Sequence, residues 1–132
     1  RAGRHTARGR PRQGSIGAML HSGDVVELDL GLPSGREAGF RHPSVVVTAQ
    51  RILDARPSVV HVVPLTSTIR RFGSEVRIDP DASNGLERPS AAQCQHLRAV
   101  STGRIEQVRG NVGVQALRQI CEVISVILDL MR

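Results

Sequence analysis

The chain has 132 residues, which is enough for one ordinary domain and short for two. Its hydrophobic fraction of 39% excludes an intrinsically disordered protein, and no apolar run approaches the roughly 20 residues of a membrane-spanning helix. The 18 basic residues, all arginine, exceed the 12 acidic residues by six, but five of the arginines lie in residues 1–18. The rest of the chain is therefore nearly balanced, and net charge alone does not indicate a nucleic-acid partner.

The first 18 residues differ in composition from the rest of the chain. Residues 1–18 are rich in Gly and Arg and have no apolar periodicity, which predicts a disordered arm. We interpret this arm as a leader segment or upstream translation rather than as a phosphate-binding arm. The domain then occupies residues 19–132 and opens at Met19. Because no secretory apolar segment precedes it, we expect a soluble cytoplasmic protein.

Apolar runs along the next 90 residues predict a succession of short strands. Val26, Leu28 and Leu30 alternate with two acidic residues, as in a half-buried strand. A Gly-rich loop at residues 31–40 follows, and Pro43 then begins an apolar run suited to a buried strand. The remaining predicted elements are strands at 58–65, 74–79 and 90–100, a turn at 81–85, and one short helical turn within 101–110.

The last segment predicts a helix. Residues 114–131 carry apolar side chains at spacings of three and four, which is typical of an amphipathic helix with a wide apolar stripe. One helix after five or six strands indicates a mainly β protein with helices (α+β), a small bent sheet or barrel closed by this helix. Because a small domain cannot hide so wide a stripe alone, we expect a dimer through the helix and neighbouring strand edges. The stripe consists of Val114, Leu117, Cys121, Ile124, Leu128 and Met131, widened by Ile120 and Ile127.

The sequence lacks the motifs of several classes of enzyme and metal site. The sequence has no P-loop, dinucleotide-binding or zinc-protease motif and no acidic clusters able to hold two metal ions, so we expect no cofactor and no metal. The two cysteines, Cys94 and Cys121, are too few for a disulfide scaffold, and we interpret both as buried free thiols. Cys94 and His96 have the spacing of two zinc ligands on one strand face, but no second pair completes such a site.

Polar residues cluster at the ends of the predicted strands, where a β scaffold builds its sites. Each of them also has an ordinary structural explanation. A Thr at a strand end often satisfies local backbone groups, and a lone His near an apolar run is more often packed and hydrogen-bonded than catalytic. The cluster consists of Arg41, His42, Thr66, Ser67, Thr68, Gln95, His96 and Arg98.

Three segments in register carry a family resemblance. They are GDV at residues 23–25, a G-x-E-x-x-x-x-x-P pattern at residues 35–43, and VPLTST at residues 63–68. With the terminal helix, they resemble the MazF/PemK family of toxin endoribonucleases, the mRNA interferases, from about Met19 onward. The resemblance implies an SH3-like barrel of the PemK/CcdB toxin type, a homodimer, and metal-independent, sequence-specific cleavage of single-stranded RNA that leaves a 2′,3′-cyclic phosphate. It also implies a protein antitoxin that binds the toxin through its C-terminal segment.

The resemblance implies two catalytic positions, of which one maps directly onto this sequence. The family's Thr at the end of the V-P-x-T strand corresponds to Thr66, but its Arg immediately before the motif Pro does not correspond cleanly, because His42 precedes Pro43 and Arg41 lies one place earlier. Imidazole can transfer a proton directly, whereas a guanidinium group stabilises phosphate charge and is a poor base. Since adjacent residues of a strand point to opposite faces, we expect either Arg41 or His42 to reach the scissile phosphate; reduced activity is a third alternative.

We expect RNA recognition in the loops beside this site, because single-stranded RNA is read on unpaired bases and arginine can contact its phosphates. Two alternative functions stay open. One is a CcdB-type toxin, which shares the barrel and binds DNA gyrase, and the other is a catalytically weak family member that binds RNA. The expected RNA-binding residues are Arg36, Ser67, Thr68, Arg70, Arg71, Gln95 and Arg98.

Overall fold

The computed structural model describes residues 20–30 and 41–130, with Arg41 described by its backbone alone. The predicted arm at 1–18, the predicted loop at 31–40 and Met131 lie outside these residues. In chain order the elements are β1 (Asp24–Asp29), β2 (Arg41–Val46), α1 (Gln50–Leu53), β3 (Val59–Thr66), β4 (Glu75–Ile78), β5 (Ser90–Gln93), a 3₁₀ turn (Cys94–His96), β6 (Arg98–Ser101), a second 3₁₀ turn (Thr102–Arg104), β7 (Ile105–Asn111) and α2 (Val114–Leu128).

The strands form one antiparallel sheet in the order β4-β5-β3-β2-β1-β7, with β6 paired to β3. β3 is the longest strand described and belongs to two parts of the sheet. Its pairing with β2 ends where Pro64 lies opposite Ser44, while its pairing with β5 begins where Leu65 lies opposite Ala92. β3 therefore turns away from β2 over its last two residues, and this divergence positions the site described below.

Two aliphatic clusters form the core on opposite faces of β1 and β2. Val26 and Val46 belong to the first cluster, and Val25 and Val45 belong to the second, as the alternation of side chains along a strand requires. The second cluster also receives α2 through Ile120, whose side chain is fully buried. A mainly β fold with a C-terminal helix on one face of the sheet is thus confirmed.

The outermost strands of the sheet order, β4 and β7, are joined by a turn rather than by strand pairing. The backbone N–H of Asn111 donates to the Ser83 carbonyl at 2.9 Å, which attaches the turn after β4 to the end of β7. A Cβ on Gly110 would lie 2.3 Å from the Ser83 carbonyl oxygen, and one on Gly85 would lie 2.5 Å from that of Arg109. Because neither position has room for a side chain, glycine permits the close backbone contact that attaches one end of the sheet to the other.

Part of the predicted apolar stripe of the C-terminal helix packs against the sheet, and part is exposed in the single chain. The fully buried Ile120 and the half-buried Leu117 and Ile124, all members of the stripe, contact the second cluster together with Val123. Val114 and Leu128, at the outer edge of the predicted stripe, are 72% and 51% exposed. Cys121 is also exposed, so the prediction of two buried thiols is wrong for this residue. The apolar stripe is therefore wider than the contact between the helix and the sheet, because apolar spacing locates a helix face only to within about one residue's rotation.

Two further predictions are corrected by the structure. The single strand predicted over 90–100 is broken at the 3₁₀ turn Cys94–His96, where the Cys94 N–H donates to the Ser74 carbonyl at 3.1 Å. The helical turn predicted within 101–110 is limited to Thr102–Arg104, and β7 follows it because Ile105 and Val108 face the core. The short helix α1 was not predicted.

Candidate active site

A cavity of about 380 Å³ opens where β3 turns away from β2. Because the last two residues of β3 pair with β5, the ends of β2 and β3 splay apart and leave polar side chains between them. Four separate segments contribute to the walls, namely β2, β3 with the residue after it, the loop between β4 and β5 with the first residue of β5, and β7. The lining consists of His42, Pro43, Leu65, Thr66, Ser67, Leu86, Glu87, Arg88, Ser90 and Arg109.

Thr66, the last residue of β3, lies half-buried in the cavity wall. Its Oγ1 accepts a hydrogen bond from the backbone N–H of Thr68 at 3.1 Å, the local role that is common for Thr at a strand end. A hydroxyl that accepts one hydrogen bond still has its own hydrogen to donate. Thr66 can therefore hold the turn and donate a hydrogen bond into the cavity at the same time, and Ser67 adds an exposed hydroxyl beside it.

His42 forms part of the wall of this cavity and also of a second cavity of about 290 Å³. It lies on β2 opposite Leu28 of β1 and is half-buried. The second cavity has aliphatic walls from the strands and polar side chains around the turn between β5 and β6. Its lining consists of Leu28, Leu30, His42, Ser44, Pro64, Gln93, His96 and Arg98.

Positive charge reaches the first cavity from Arg88 and Arg109. The Arg109 Nη1 donates to Glu27 Oε2 at 2.7 Å, and the two side chains are 23% and 16% exposed. The Glu87 carboxylate lies 3.8 Å from Nη2 of the same guanidinium group, but its side chain is 83% exposed. The cavity thus combines hydroxyl groups, an imidazole, two guanidinium groups and the exposed Glu87 carboxylate. The hydroxyl, imidazole and guanidinium groups are suited to binding a phosphodiester and moving a proton.

Comparison with known proteins identifies the fold and the family. The family model described as PemK-like, MazF-like toxin of type II toxin-antitoxin system matches residues 21–128. The chain belongs to this family. Endoribonuclease MazF9 of Mycobacterium tuberculosis is 29% identical over 116 residues, which are 85% of this chain and 98% of the relative.

Two solved structures share the fold of this PemK/MazF-family toxin. The Mycobacterium tuberculosis toxin MazF-mt6 has a TM-score of 0.66 at 22% identity, covering 83% of this chain and 99% of its own. A MazE–MazF crystal structure from Deinococcus radiodurans contains a chain with a TM-score of 0.69 at 20% identity, covering 85% of this chain and 97% of its own. The family and the fold class predicted from the sequence are therefore confirmed.

The structure brings together some of the site residues predicted for this MazF-like toxin. Thr66, Ser67 and His42 line the first cavity, and Arg98 lines the second. Arg36 lies outside the described residues. For Arg41 the structure gives the backbone position, opposite Asp29 at the start of β2, and no side chain.

Other predicted RNA-binding residues lie outside both cavities. Thr68, Arg70 and Arg71 are exposed on the segment that follows β3 and do not line either one. The side-chain amide of Gln95 donates to Glu75 Oε2 at 3.2 Å instead. These residues have the chemistry of RNA contacts, but the segment after β3 and the turn after β5 direct them elsewhere.

Sequence reasoning missed three polar residues of the first cavity, Arg88, Ser90 and Arg109. Arg109 fell within the wrongly predicted helical turn, and its partner Glu27 lies 82 residues earlier in the chain. Val108, Gly110 and Val112 alternate with two polar residues, and this alternation was the available signal for β7. No local pattern could have indicated the pairing with Glu27.

The longest helix described is α2, with 15 residues. Among the described residues, no helix is both long and apolar enough to cross a bilayer. Within residues 20–30 and 41–130, no three His, Cys, Asp or Glu side chains converge as a metal site.

Proposed function

We propose that this MazF-like toxin is an endoribonuclease that cleaves single-stranded RNA at preferred sequences without a metal ion. The observation that carries the proposal is the convergence of Thr66, His42 and two arginines on one cavity at the end of β3. The endoribonuclease name of the Mycobacterium tuberculosis relative, which aligns over nearly its whole length, supports the same activity. We further propose that the protein acts in the cytoplasm, where its RNA substrate is.

The reaction is an attack of a ribose 2′-oxygen on the adjacent phosphorus. The 2′-hydroxyl loses its proton, the P–O5′ bond breaks, and the leaving 5′-oxygen takes up a proton, which leaves a 2′,3′-cyclic phosphate and a 5′-hydroxyl. We assign the first proton transfer to His42, because imidazole accepts protons near neutral pH and this side chain lines the cavity.

Thr66 and the cavity arginines stabilise the charge that develops on the phosphate oxygens. Donors fixed in the position where charge develops contribute more to the rate than any general electrostatic attraction. Thr66 donates one hydrogen bond from the strand end, and the guanidinium groups donate charge-assisted bonds. Arg41 is the alternative occupant of the family's Arg role, and its contribution is tested against that of His42 below.

Specificity and partners complete the proposal. Ser67, Thr68, Arg70 and Arg71 contact RNA beyond the scissile phosphate, and Gln95 and Arg98 contact it from the turn after β5 and from β6. Arg36, which lies outside the described residues, is a further proposed RNA-binding residue. A protein antitoxin binds the toxin through its C-terminal segment, in keeping with the antitoxin complexes among related structures. The toxin forms a homodimer through apolar residues of α2 that are exposed in the single chain.

The test is the incubation of purified protein with a long single-stranded RNA in EDTA, followed by mapping of both ends at every cut. We expect discrete cuts that share a short sequence and carry cyclic phosphate ends. A protein with Thr66→Ala, purified in the same way, controls for contaminating ribonucleases. Intact RNA with a folded wild-type protein contradicts the proposal, as do cuts that disappear with EDTA.

A further inference from the structure

The direction of the Arg109 side chain results from an irregularity in the pairing of β7 with β1. Val25 lies opposite Gly110 and Val26 lies opposite Val108, so Arg109 is an extra residue without a partner position on β1. A β-bulge of this kind turns the side chain of the extra residue away from the regular alternation. The Arg109 side chain consequently lies across Glu27 and lines the cavity that contains Thr66.

The backbone at this position is held firmly. The Gly85 backbone packs against the Arg109 carbonyl so closely that a Cβ on Gly85 would lie 2.5 Å from it. Asn84, which precedes that glycine, is buried and accepts hydrogen bonds from the N–H groups of Asp81 and Leu86 at 3.2 and 3.0 Å. Because the turn cannot move without losing these contacts, the backbone of Arg109 is held in place at the cavity wall.

The two carboxylates beside Arg109 differ in how firmly they hold it. Glu27 binds Nη1 at 2.7 Å and is largely buried, so it fixes the orientation of the guanidinium plane. Glu87 lies 3.8 Å from Nη2 with 83% of its side chain exposed, which makes it a weak and replaceable partner. A guanidinium group has five N–H donors in a planar fork, and the bond to Glu27 uses one of them.

We propose that Arg109 binds an RNA phosphate in the cavity lined by Thr66, with Glu27 orienting the guanidinium group and Glu87 yielding its place to the phosphate. The inference rests on the proposed function for the identity of the ligand and specifies how one of the two cavity arginines binds it. A phosphate accepts two parallel bonds from one guanidinium group, which a carboxylate at 3.8 Å does not achieve here. Glu87 then acts as a competitor that the substrate displaces.

The test measures phosphate binding separately from cleavage. The probe is a short, fluorescent, random-sequence oligonucleotide with 2′-O-methyl riboses, which has no free 2′-hydroxyl and cannot be cut. Its affinity is measured by anisotropy over a series of salt concentrations. For single strands, each phosphate contact contributes about 0.7 to the slope of log affinity against log salt.

Three variants address Arg109 and its neighbours. Arg109→Met is combined with Glu27→Gln, because an unpaired buried carboxylate would destabilise the fold. We expect this double variant to bind the probe at least tenfold more weakly and to lose about 0.7 of the salt slope. Arg109→Lys keeps the charge and the pairing, so we expect it to retain the slope while losing affinity through the missing fork. Glu87→Gln removes the competitor, and we expect it to tighten binding about twofold to fivefold.

Arg77→Met is the matched control, since Arg77 pairs with Asp79 at 2.9 Å on β4 and lines neither cavity. This control should leave the salt slope unchanged. Loss of probe binding in the Arg109 variants supports the inference whether or not the wild-type protein cleaves RNA. A folded Arg109→Met, Glu27→Gln protein with wild-type affinity and slope overturns it, and so does a wild-type protein that does not bind the probe. RNA cleavage without any change in these variants would leave the proposed function standing and reject the role of Arg109.

Discussion

The larger of two concave regions of this toxin is the less polar one. The groove beside α2 has a volume of about 540 Å³, compared with about 380 Å³ for the cavity at the end of β3. The groove is the less polar of the two and contains one carboxylate and one hydroxyl. Its lining consists of Gly73, Ser74, Glu122, Val123, Val126 and Ile127.

The difference shows that the chemical character of a concavity, rather than its volume, indicates what it binds. A phosphodiester carries charge and needs donors, which the β3 cavity supplies from four segments of the chain. The α2 groove offers exposed aliphatic side chains such as Val126, which favour contact with another protein surface. If the two regions serve RNA and protein respectively, substitutions in one should leave the behaviour of the other unchanged.

The largest effect is expected from His42 in the polar cavity. If this imidazole removes the 2′-proton, His42→Ala should lower the cleavage rate by about 100-fold to 10,000-fold. Single-turnover cleavage rates of the wild-type and variant proteins measure this effect, and dimerisation should be unaffected.

Arg41→Ala is the comparison that separates the two neighbours. With His42 as the base, Arg41→Ala should weaken RNA binding and keep most of the cleavage rate at saturating RNA. If Arg41 fills the family's Arg role, the outcomes exchange, and His42→Arg raises activity instead of lowering it. Wild-type cleavage rates in both alanine variants would reject both assignments.

The next largest effect is expected from Thr66, which lies on the wall of the same cavity. Thr66→Ala removes a donor to the phosphate and should lower cleavage by about 100-fold. Thr102→Ala is the matched control, because the Thr102 hydroxyl donates to the Ser58 carbonyl far from the cavity lining. If the folded Thr66→Ala protein cuts RNA at the wild-type rate, the residue serves only the turn at Thr68.

A smaller effect, on association alone, is expected from the apolar groove. Val126 is 66% exposed, and Val126→Asp places a charge in the proposed dimer contact. We expect the dimer dissociation constant to rise at least about tenfold, because a buried unpaired carboxylate costs more than the 1.4 kcal/mol that this factor represents. Gln119→Glu adds the same charge at an exposed position of α2 outside the groove lining and should have little effect. Sedimentation of the wild-type protein as a monomer at micromolar concentration would contradict the dimer itself.

The smallest effect concerns the core beneath α2. Burial, and to a lesser extent the nearby Cys121, raises the pKa of the Cys94 thiol to about 11. Above its ordinary value of 9.0, the unfolded chain loses this proton while the folded chain retains it, so stability falls as pH rises from 9 to about 11. The expected loss in the free energy of unfolding is about 2 to 3 kcal/mol. Denaturant unfolding should show this decline in the wild-type protein and in Cys121→Ala, and a shallower decline in Cys94→Ala.

The sequence allowed the fold class to be predicted because its strands carry clear signals. Val26 and Leu28 alternate with acids, and the VPL run before Thr66 is continuously apolar, so period and composition indicate strands directly. The helix and an apolar stripe that includes Ile120 were also predicted, but the extent of the contact with the sheet was not. That contact depends on how the helix packs against the second cluster. The spacing of apolar residues along the helix does not contain this tertiary information.

The site could be predicted only in part, for a similar reason. Thr66 and His42 follow recognisable motif positions and do meet at one cavity. Arg109 reaches that cavity through a bulge and a salt bridge to a distant strand, and neither has a local sequence signature. Gln95 shows a second kind of contact that has no local signature, since its side-chain amide donates to Glu75, 20 residues earlier in the chain.

The position of His42 in the wall between two cavities has a consequence for substrate discrimination. Whatever occupies the second cavity, beside Gln93 and Arg98, contacts the same side chain to which we assign the proton transfer in the first. A nucleotide that fits there would align the ring for proton transfer, and one that fits badly would displace it. Selectivity between RNA sequences would then be expressed in kcat more than in KM. The wrong sequence would still bind through its phosphates, but it would hold the imidazole out of line with the 2′-hydroxyl.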